Sequence, residues 1–259
     1  MSTDDEAKLQ RIVDARLRLM ARFHEARQQS PSVADTRPMG EGPPNRHGMP
    51  QVPPGQVKTE RWPVLDLGVL PRVTTSADWT LEVAGEVEHP FTLDWRGLME
   101  LPNIDDTSDF HCVTTWSKLD VPWRGVRVST LLALAEPTEK ATHLLCHGSD
   151  GYTTNLSLAE ATKDDVLLAH TAYGQPLPVE HGGPVRMITP QLYAWKGSKW
   201  ISRIDVVNGD RPGFWEERGY SMTAYPWRED RGDAHTAPGH VELRPRRHTV
   251  KVARVVDVR

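Results

Sequence analysis

Between residues 61 and 228 the apolar runs are short, closely spaced and repeatedly cut by turn residues. That pattern leaves room for strands but not for the long crossover helices of a doubly wound parallel sheet. Trp79, Leu81 and Val83 alternate with Thr80 and Glu82, which predicts a half-buried strand. Residues 110–113, 142–147, 166–172, 185–189 and 200–207 read as further strands, and residues 93–101 as a short helix. Ser129 is positioned to cap a helix over 131–135, and Ser157 with Glu160 forms a capping box for another through Ala161. Residues 148–151 read as a turn, and Gly174-Gln175-Pro176 as a second. With 21 Pro and 19 Gly to punctuate it, the chain is predicted to be α+β, strand-rich and mixed.

The flanks differ from this central part. In residues 5–29, Leu9, Ile12, Val13, Leu17, Met20 and Phe23 recur at helical spacing, so residues 1–30 are expected to form an amphipathic arm. Its six basic residues are nearly matched by five acids, which weakens any attraction to lipid. The arm is therefore expected to dock on its own domain or on a neighbouring subunit of a homo-oligomer. Residues 31–58 hold seven Pro and four Gly, and the segment 31–60 reads as an extended linker. The ordered domain is expected over 61–228, followed by a polar extension, 229–259, with a terminal strand at 249–258.

A formal charge of −4 argues against a general nucleic-acid binder. No apolar run reaches bilayer-spanning length, so no membrane insertion is expected. The first thirty residues carry neither a secretory apolar stretch nor an Arg-Arg pair, which makes the cytoplasm the expected location. Cys112 and Cys146 form no disulfide framework, and a reducing compartment would keep both as thiols.

The segment that carries chemistry is Asp109-Phe110-His111-Cys112-Val113-Thr114-Thr115-Trp116-Ser117. Taken alone, Cys112 is open to three readings: a buried small hydrophobe, a Cys–His nucleophile, or a zinc ligand. Papain-like signatures are absent, and no Cys-x-x-Cys pair accompanies His111, His143, Cys146 and His147, so the last two readings are weak. Several ordered blocks add information. They are Cys112-Val113 with Trp116-Ser117; Val121-Pro122-Trp123 with Gly125; Leu131 through Thr138; and Asp165 through Ala169. Gly174, Pro176 and Leu177 follow, then His181-Gly182-Gly183-Pro184-Val185-Arg186, Lys196-Gly197-Ser198-Lys199-Trp200, and Arg211 through Tyr220.

Together these blocks resemble the sulfite-oxidase-like molybdopterin-dependent oxidoreductases, which include cytoplasmic sulfite-oxidase-like proteins and the periplasmic methionine-sulfoxide reductase catalytic subunit. The resemblance implies a sulfite-oxidase-type pterin-binding fold, a molybdenum–molybdopterin cofactor, and Cys112 as the one thiolate the protein gives the metal. A soft thiolate suits such a metal and leaves its other positions to pterin, oxygen and substrate. By the same resemblance His181, Arg186, Gly197, Ser198 and Lys199 fall on cofactor-binding positions, where a pterin phosphate needs cationic donors. His147, with Asp150 and Tyr152, borders a turn expected near the metal side. Tyr193 is a candidate catalytic residue at the substrate entrance, with Trp195 beside it.

Two departures bear on substrate. Sulfite oxidases carry an Arg-rich run after the ligand cysteine, and this chain has Val113-Thr114-Thr115-Trp116. Where they show an early Arg-Asn-His element, it has Leu65-Asp66-Leu67-Gly68. Both remove anion-binding character, unless distant arginines such as Arg124 or Arg127 restore it. The expected reaction is two-electron oxygen-atom transfer, with reduction of a small S-oxide or N-oxide favoured over oxidation of an oxyanion such as sulfite. An unidentified electron-transfer partner is implied, and a domain that only binds the cofactor is the non-enzymatic alternative.

Overall fold

The computed structural model describes residues 3–29, 40–68, 71 and 75–232. The chain opens with helix α1 (Thr3–Gln29) and three short strands, β1 (Glu41–Pro44), β2 (Pro50–Val52) and β3 (Val57–Lys58). Next come β4 (Thr80–Gly85), β5 (Phe91–Asp94), helix α2 (Trp95–Glu100), β6 (Asn103–Cys112), β7 (Trp116–Arg127) and helix α3 (Val128–Ala135). After these lie β8 (His143–Gly148), β9 (Thr153–Ser157), the single turn α4 (Leu158–Ala161), β10 (Leu167–Ala172), β11 (Gln175–Pro176), β12 (Arg186–Ile188) and β13 (Ile201–Val207). No helix among the described residues is long and apolar enough to cross a membrane. The terminal strand expected at 249–258 lies outside the described residues.

Two mixed sheets carry the fold. In one, β7 is central: β6 pairs it antiparallel along most of its length, β10 pairs it antiparallel at its C-terminal end, and β3 joins it in parallel. Strands β11 and β12 both pair with β10. The other sheet runs β5-β4-β13-β8-β9, with only the β4–β13 pair parallel. The α+β expectation therefore holds, and the main core fills with Leu81, Val83, Leu131, Leu144, Leu168 and Ile204. Strand β10 is buried along nearly its whole length, as its Leu-Leu-Ala run requires. The strand β4 alternates buried and exposed positions as its sequence predicts.

Two sequence expectations are corrected. Helix α3 begins at Val128 with Arg127 as its N-cap and no side-chain cap, so Ser129 lies inside the helix instead of before it. The segment read as a linker over 31–60 contains strands β1, β2 and β3 in its described part. Proline is tolerated there because these are sheet-edge positions whose missing N–H groups are not needed. Polar side chains then tie the segment to the body. Arg46 Nη1 lies 2.5 Å from Asp106, His47 Nε2 lies 2.7 Å from Asp165, and Trp227 Nε1 donates to the Pro50 carbonyl at 2.6 Å. Helix α1 packs on its own chain. Its Val13 and Met20 are buried with Leu67, Val113, Tyr152, Trp195, Trp215 and Tyr220, so the arm forms part of its own chain's packing.

Strand β7 crosses β10 so closely at Gly125 that a Cβ there would drive into the Leu168 carbonyl and Ala169 Cα. Backbone on both sides cannot yield. Gly125→Ala is expected to destabilise the chain by about 3 kcal/mol or more. Urea titration would check this, with an unchanged midpoint contradicting the packing described.

Candidate active site

Strands β6 and β7 form a hairpin whose tip is Val113-Thr114-Thr115, with Cys112 paired to Trp116. Three-residue hairpins of this kind need a left-handed residue at the third position. Thr115 supplies it with φ 76°, and its N–H donates to the Cys112 carbonyl at 3.1 Å. Gln56 Nε2 donates to the same carbonyl at 3.2 Å. The carbonyl of the last residue of β6 is thereby held by one backbone N–H and one side-chain amide. Its Sγ lies 3.1 Å from Thr114 Oγ1. Burial pushes the Cys112 thiol up, against which the Thr114 hydroxyl and N–H, Arg16 and Arg231 all favour the thiolate.

The thiol lines a cleft of about 120 Å³. Its walls are mainly aromatic, with Trp62, Phe110, Trp116, Tyr152, Trp200 and Tyr220 among them. In one part of it Arg186, Lys199 and His181 stand close enough to act on one another, and Gly197 lines the cleft with them. Arg186 comes from β12, where its backbone pairs with Ala169 of β10. Its side chain is 3% exposed, and its guanidinium lies 5.0 Å above the Phe110 ring. Its hydrogen bonds go only to carbonyls, the best being to His181 at 2.9 Å, and no carboxylate pairs with it among the described residues. Burial pulls its pKa down to about 10, and the Cys112 charge opposes that. A buried cation held only by neutral dipoles is costly unless the cleft receives an anion.

His181 stacks on Trp62 with ring centroids 3.9 Å apart. Burial, then Arg186 and Lys199, pull its pKa down to about 4, so the ring is neutral near pH 7. Lys199 Nζ donates to the Glu180 carbonyl at 2.6 Å and sits over Trp200. Burial and the neighbouring Arg186 draw its pKa down to about 8, while Asp66, Asp150 and Glu180 oppose the shift. At Gly197 a Cβ would press against the Met187 carbonyl, so only glycine keeps this backbone against β12.

Behind this cluster, Lys196 and Glu216 are paired at 2.6 Å with both side chains almost sealed from water. Glu216 Oε1 also accepts from Trp195 Nε1 at 2.9 Å and from Thr154 at 3.2 Å, and Lys196 also donates to Asn155. The pair binds the 194–199 loop, β9 and the 214–220 segment into one wall.

Not every residue singled out by sequence reaches the cleft. His147 faces the outer surface of its sheet, 2.9 Å from Asp205, because alternation along β8 buries Cys146 and turns His147 the other way. Tyr193 is fully buried behind the wall, stacked on Trp195 at 5.3 Å, and does not line the cleft. Ser198 is buried with its hydroxyl on the Lys199 carbonyl at 3.2 Å. Arg124 and Arg127 lie at the surface beside Asp105 and Asp164. Cys146 is core, with its thiol pushed up to about 12 by burial.

Conversely, Arg16 of α1 and Trp62, Trp215 and Tyr220 line the cleft without having been singled out. Arg231 is another. It is 3% exposed, donates to the Val113 carbonyl at 2.5 Å, and leaves its Nε and Nη2 without partners among the described residues. For Arg16 a signal existed in the helical period, since it falls inside the arc of Leu9, Val13, Met20 and Phe23.

No three His, Cys, Asp or Glu side chains converge as a metal cage among the described residues. A single thiolate beside an anion-seeking cation cluster fits a metal whose remaining donors arrive on an anionic organic cofactor. The family described as "Oxidoreductase molybdopterin binding domain" matches residues 67–215. An uncharacterized oxidoreductase, YuiH, of Bacillus subtilis is 40% identical over 70% of this chain and 91% of its own length. The protein-methionine-sulfoxide reductase catalytic subunit MsrP of Gluconobacter oxydans is 34% identical over 57% of this chain and 54% of its own. The crystal structure of the sulfane dehydrogenase SoxCD from Paracoccus pantotrophus aligns with TM-score 0.49 at 24% identity, over 53% of this chain and 40% of that one.

The lowered pKa of Lys199 gives a directional test. Its charge is fully present well below pH 8 and is lost as pH rises through about 8. Phenyl phosphate, a dianion well above its second pKa of about 6, should bind the cofactor-free protein less well at pH 9.5 than at pH 7. A fall of about tenfold, or roughly 1.4 kcal/mol, is expected by calorimetry. Lys199→Arg should flatten the profile; an equally steep profile in that variant would remove Lys199 from the anion site.

Proposed function

Because the chain belongs to the molybdopterin-binding oxidoreductase family, we propose that it reduces a small S-oxide or N-oxide by two-electron oxygen-atom transfer, with Cys112 as the protein ligand to molybdenum. The chain is an oxidoreductase that binds molybdopterin. The observation that carries the finer reading is the position of Cys112 beside a rigid hairpin tip, lining a cleft that also holds an anion-seeking cluster. When bound, molybdenum in its pterin dithiolene supplies the two-electron change and a place to accept oxygen.

The chain's own residues do the rest. Thr114 Oγ1 stands beside Sγ and stabilises the thiolate by hydrogen bonding. Arg186 and Lys199 neutralise the cofactor's phosphate, and neutral His181, held flat by Trp62, offers a further polar contact. The aromatic walls exclude water and receive the apolar arms of a sulfoxide or amine oxide. Reduction of an S-oxide takes up two electrons and two protons and releases thioether and water. Asp150, whose carboxyl is pushed up by burial, lines the cleft and is the residue we assign to hold a proton there. The turn after Cys112 carries no cation, which favours a neutral oxide over the sulfite dianion. An electron-donor partner is required by this chemistry. We place the work in the cytoplasm, where two free buried thiols are stable.

The purified protein is expected to carry about one molybdenum per chain by elemental analysis. Cys112→Ser should abolish turnover while leaving the fold intact, because a hydroxyl is a harder donor. Cys146→Ser should keep most activity; identical behaviour of the two variants would remove Cys112 from the metal. With a reduced viologen dye as donor, kcat/KM for oxide reduction should exceed that for sulfite oxidation at least about tenfold, roughly 1.4 kcal/mol of transition-state preference. Efficient sulfite oxidation with no oxide reduction would reverse the substrate assignment.

A further inference from the structure

Helix α1 presents an anomaly on its packed face. Val13 and Met20 are buried against the body, and Leu9, Leu17 and Phe23 pack beside them. At 100° per residue, Arg16 lies in the middle of that same stripe. It is partly buried and lines the cleft together with Cys112 and Tyr220. It has no hydrogen-bond or ion-pair partner among the described residues. The other basic residue of the helix near the body, Lys8, is by contrast satisfied on the Gly68 carbonyl at 3.0 Å.

An amphipathic helix needs an apolar residue at such a position, and an unpaired guanidinium weakens the contact it interrupts. A cation kept there points to an anion or a strongly polarised oxygen that arrives from outside. The cofactor's phosphate already has a cluster, since Arg186, Lys199 and His181 stand together and the cleft's carboxylates, Asp66 and Asp150, act on Lys199. Arg16 is not among the charges that act on His181 or Lys199; it acts on Cys112, as Arg186 also does, and on Tyr220.

We propose that Arg16 grips the oxygen of the substrate's S–O or N–O group, making α1 the substrate-recognition wall of the cleft. This rests on the oxide reading above and adds the residue that selects the oxide. A sulfoxide oxygen is a strong acceptor, and a guanidinium offers a charge-assisted donor that tolerates a neutral ligand. The cation missing from the turn after Cys112 is thus supplied from the other end of the chain. The same group would attract small oxyanions as competitors.

The test uses the full chain loaded with cofactor, as Arg16→Leu, Arg16→Gln and Arg16→Lys. Leucine restores an apolar stripe, so its melting temperature is expected to equal or exceed that of the unmodified protein. The KM for dimethyl sulfoxide should rise about 10- to 100-fold, the loss of one charge-assisted hydrogen bond, with a smaller change in kcat. Competitive inhibition by sulfate should disappear in the leucine and glutamine variants and largely return with lysine. A lower melting temperature in the leucine variant, with KM and sulfate inhibition unchanged, would overturn the proposal and make Arg16 structural. Should dimethyl sulfoxide not be turned over at all, the oxide reading fails. Displacement of sulfate from the loaded protein, followed by calorimetry, then decides on Arg16: binding lost in Arg16→Leu supports an oxygen-binding role, and binding retained overturns it.

Discussion

The wall of the cleft depends on a charge pair withheld from water. Lys196 and Glu216 are almost fully enclosed, and each is held by additional polar groups, Asn155 on one side and Thr154 and Trp195 on the other. Two charges moved into a protein interior lose hydration worth several kcal/mol each, which only close pairing and further hydrogen bonds offset. Breaking such a pair leaves one charge stranded, so the segments it joins move together or not at all. Here those segments are the 194–199 loop, strand β9 and the 214–220 stretch. Gly197 follows directly on Lys196 and Lys199 comes two residues later, so the position of the cleft's cationic cluster depends on a pair that does not itself line the cleft.

The cleft gathers its charges from separate strand ends. Cys112 terminates β6, Arg186 begins β12, and Lys199 precedes β13. Cys112 and Arg186 are fixed by backbone pairing on their own strands while Lys199 sits in the turn before β13, and β7 and β10 bring the sheet across between them. Buried groups here sit in states that water would not favour, namely a neutral histidine, a lysine that titrates near neutrality, and a guanidinium facing carbonyls. Perturbations of this kind, clustered in one concavity, are what a preorganised anion site produces.

Much of this was legible in the sequence, and the failures have physical causes. Cys112, His181, Arg186, Gly197 and Lys199 sit in ordered blocks with fixed neighbours, and all five line the cleft. The central strand β7 was not recognised, because Pro122 and Gly125 interrupt it as they would a loop. In the structure Pro122 serves as an acceptor for Tyr173, and Gly125 allows β10 to approach. His147 was misplaced because nearness to a turn does not say which face of a strand a side chain takes. The proline-rich stretch before Trp62 was read by composition, and composition cannot reveal edge strands tied down by Arg46, His47 and Gln51. Arg16 was legible both as charge and, from the helical period, as a residue on the apolar face, but not the cleft that this face would meet.

A helix that packs by side chains alone has a different evolutionary standing from a strand in a sheet. Replacing any of Leu9, Val13, Arg16 or Met20 changes the lining or the seating of α1 without touching a single ladder hydrogen bond around Cys112. The backbone that holds Cys112 and the lining that α1 adds to the cleft can therefore drift independently in this architecture. The hydrogen-bonded scaffold constrains the first tightly, while the second is free to diversify through side-chain packing alone.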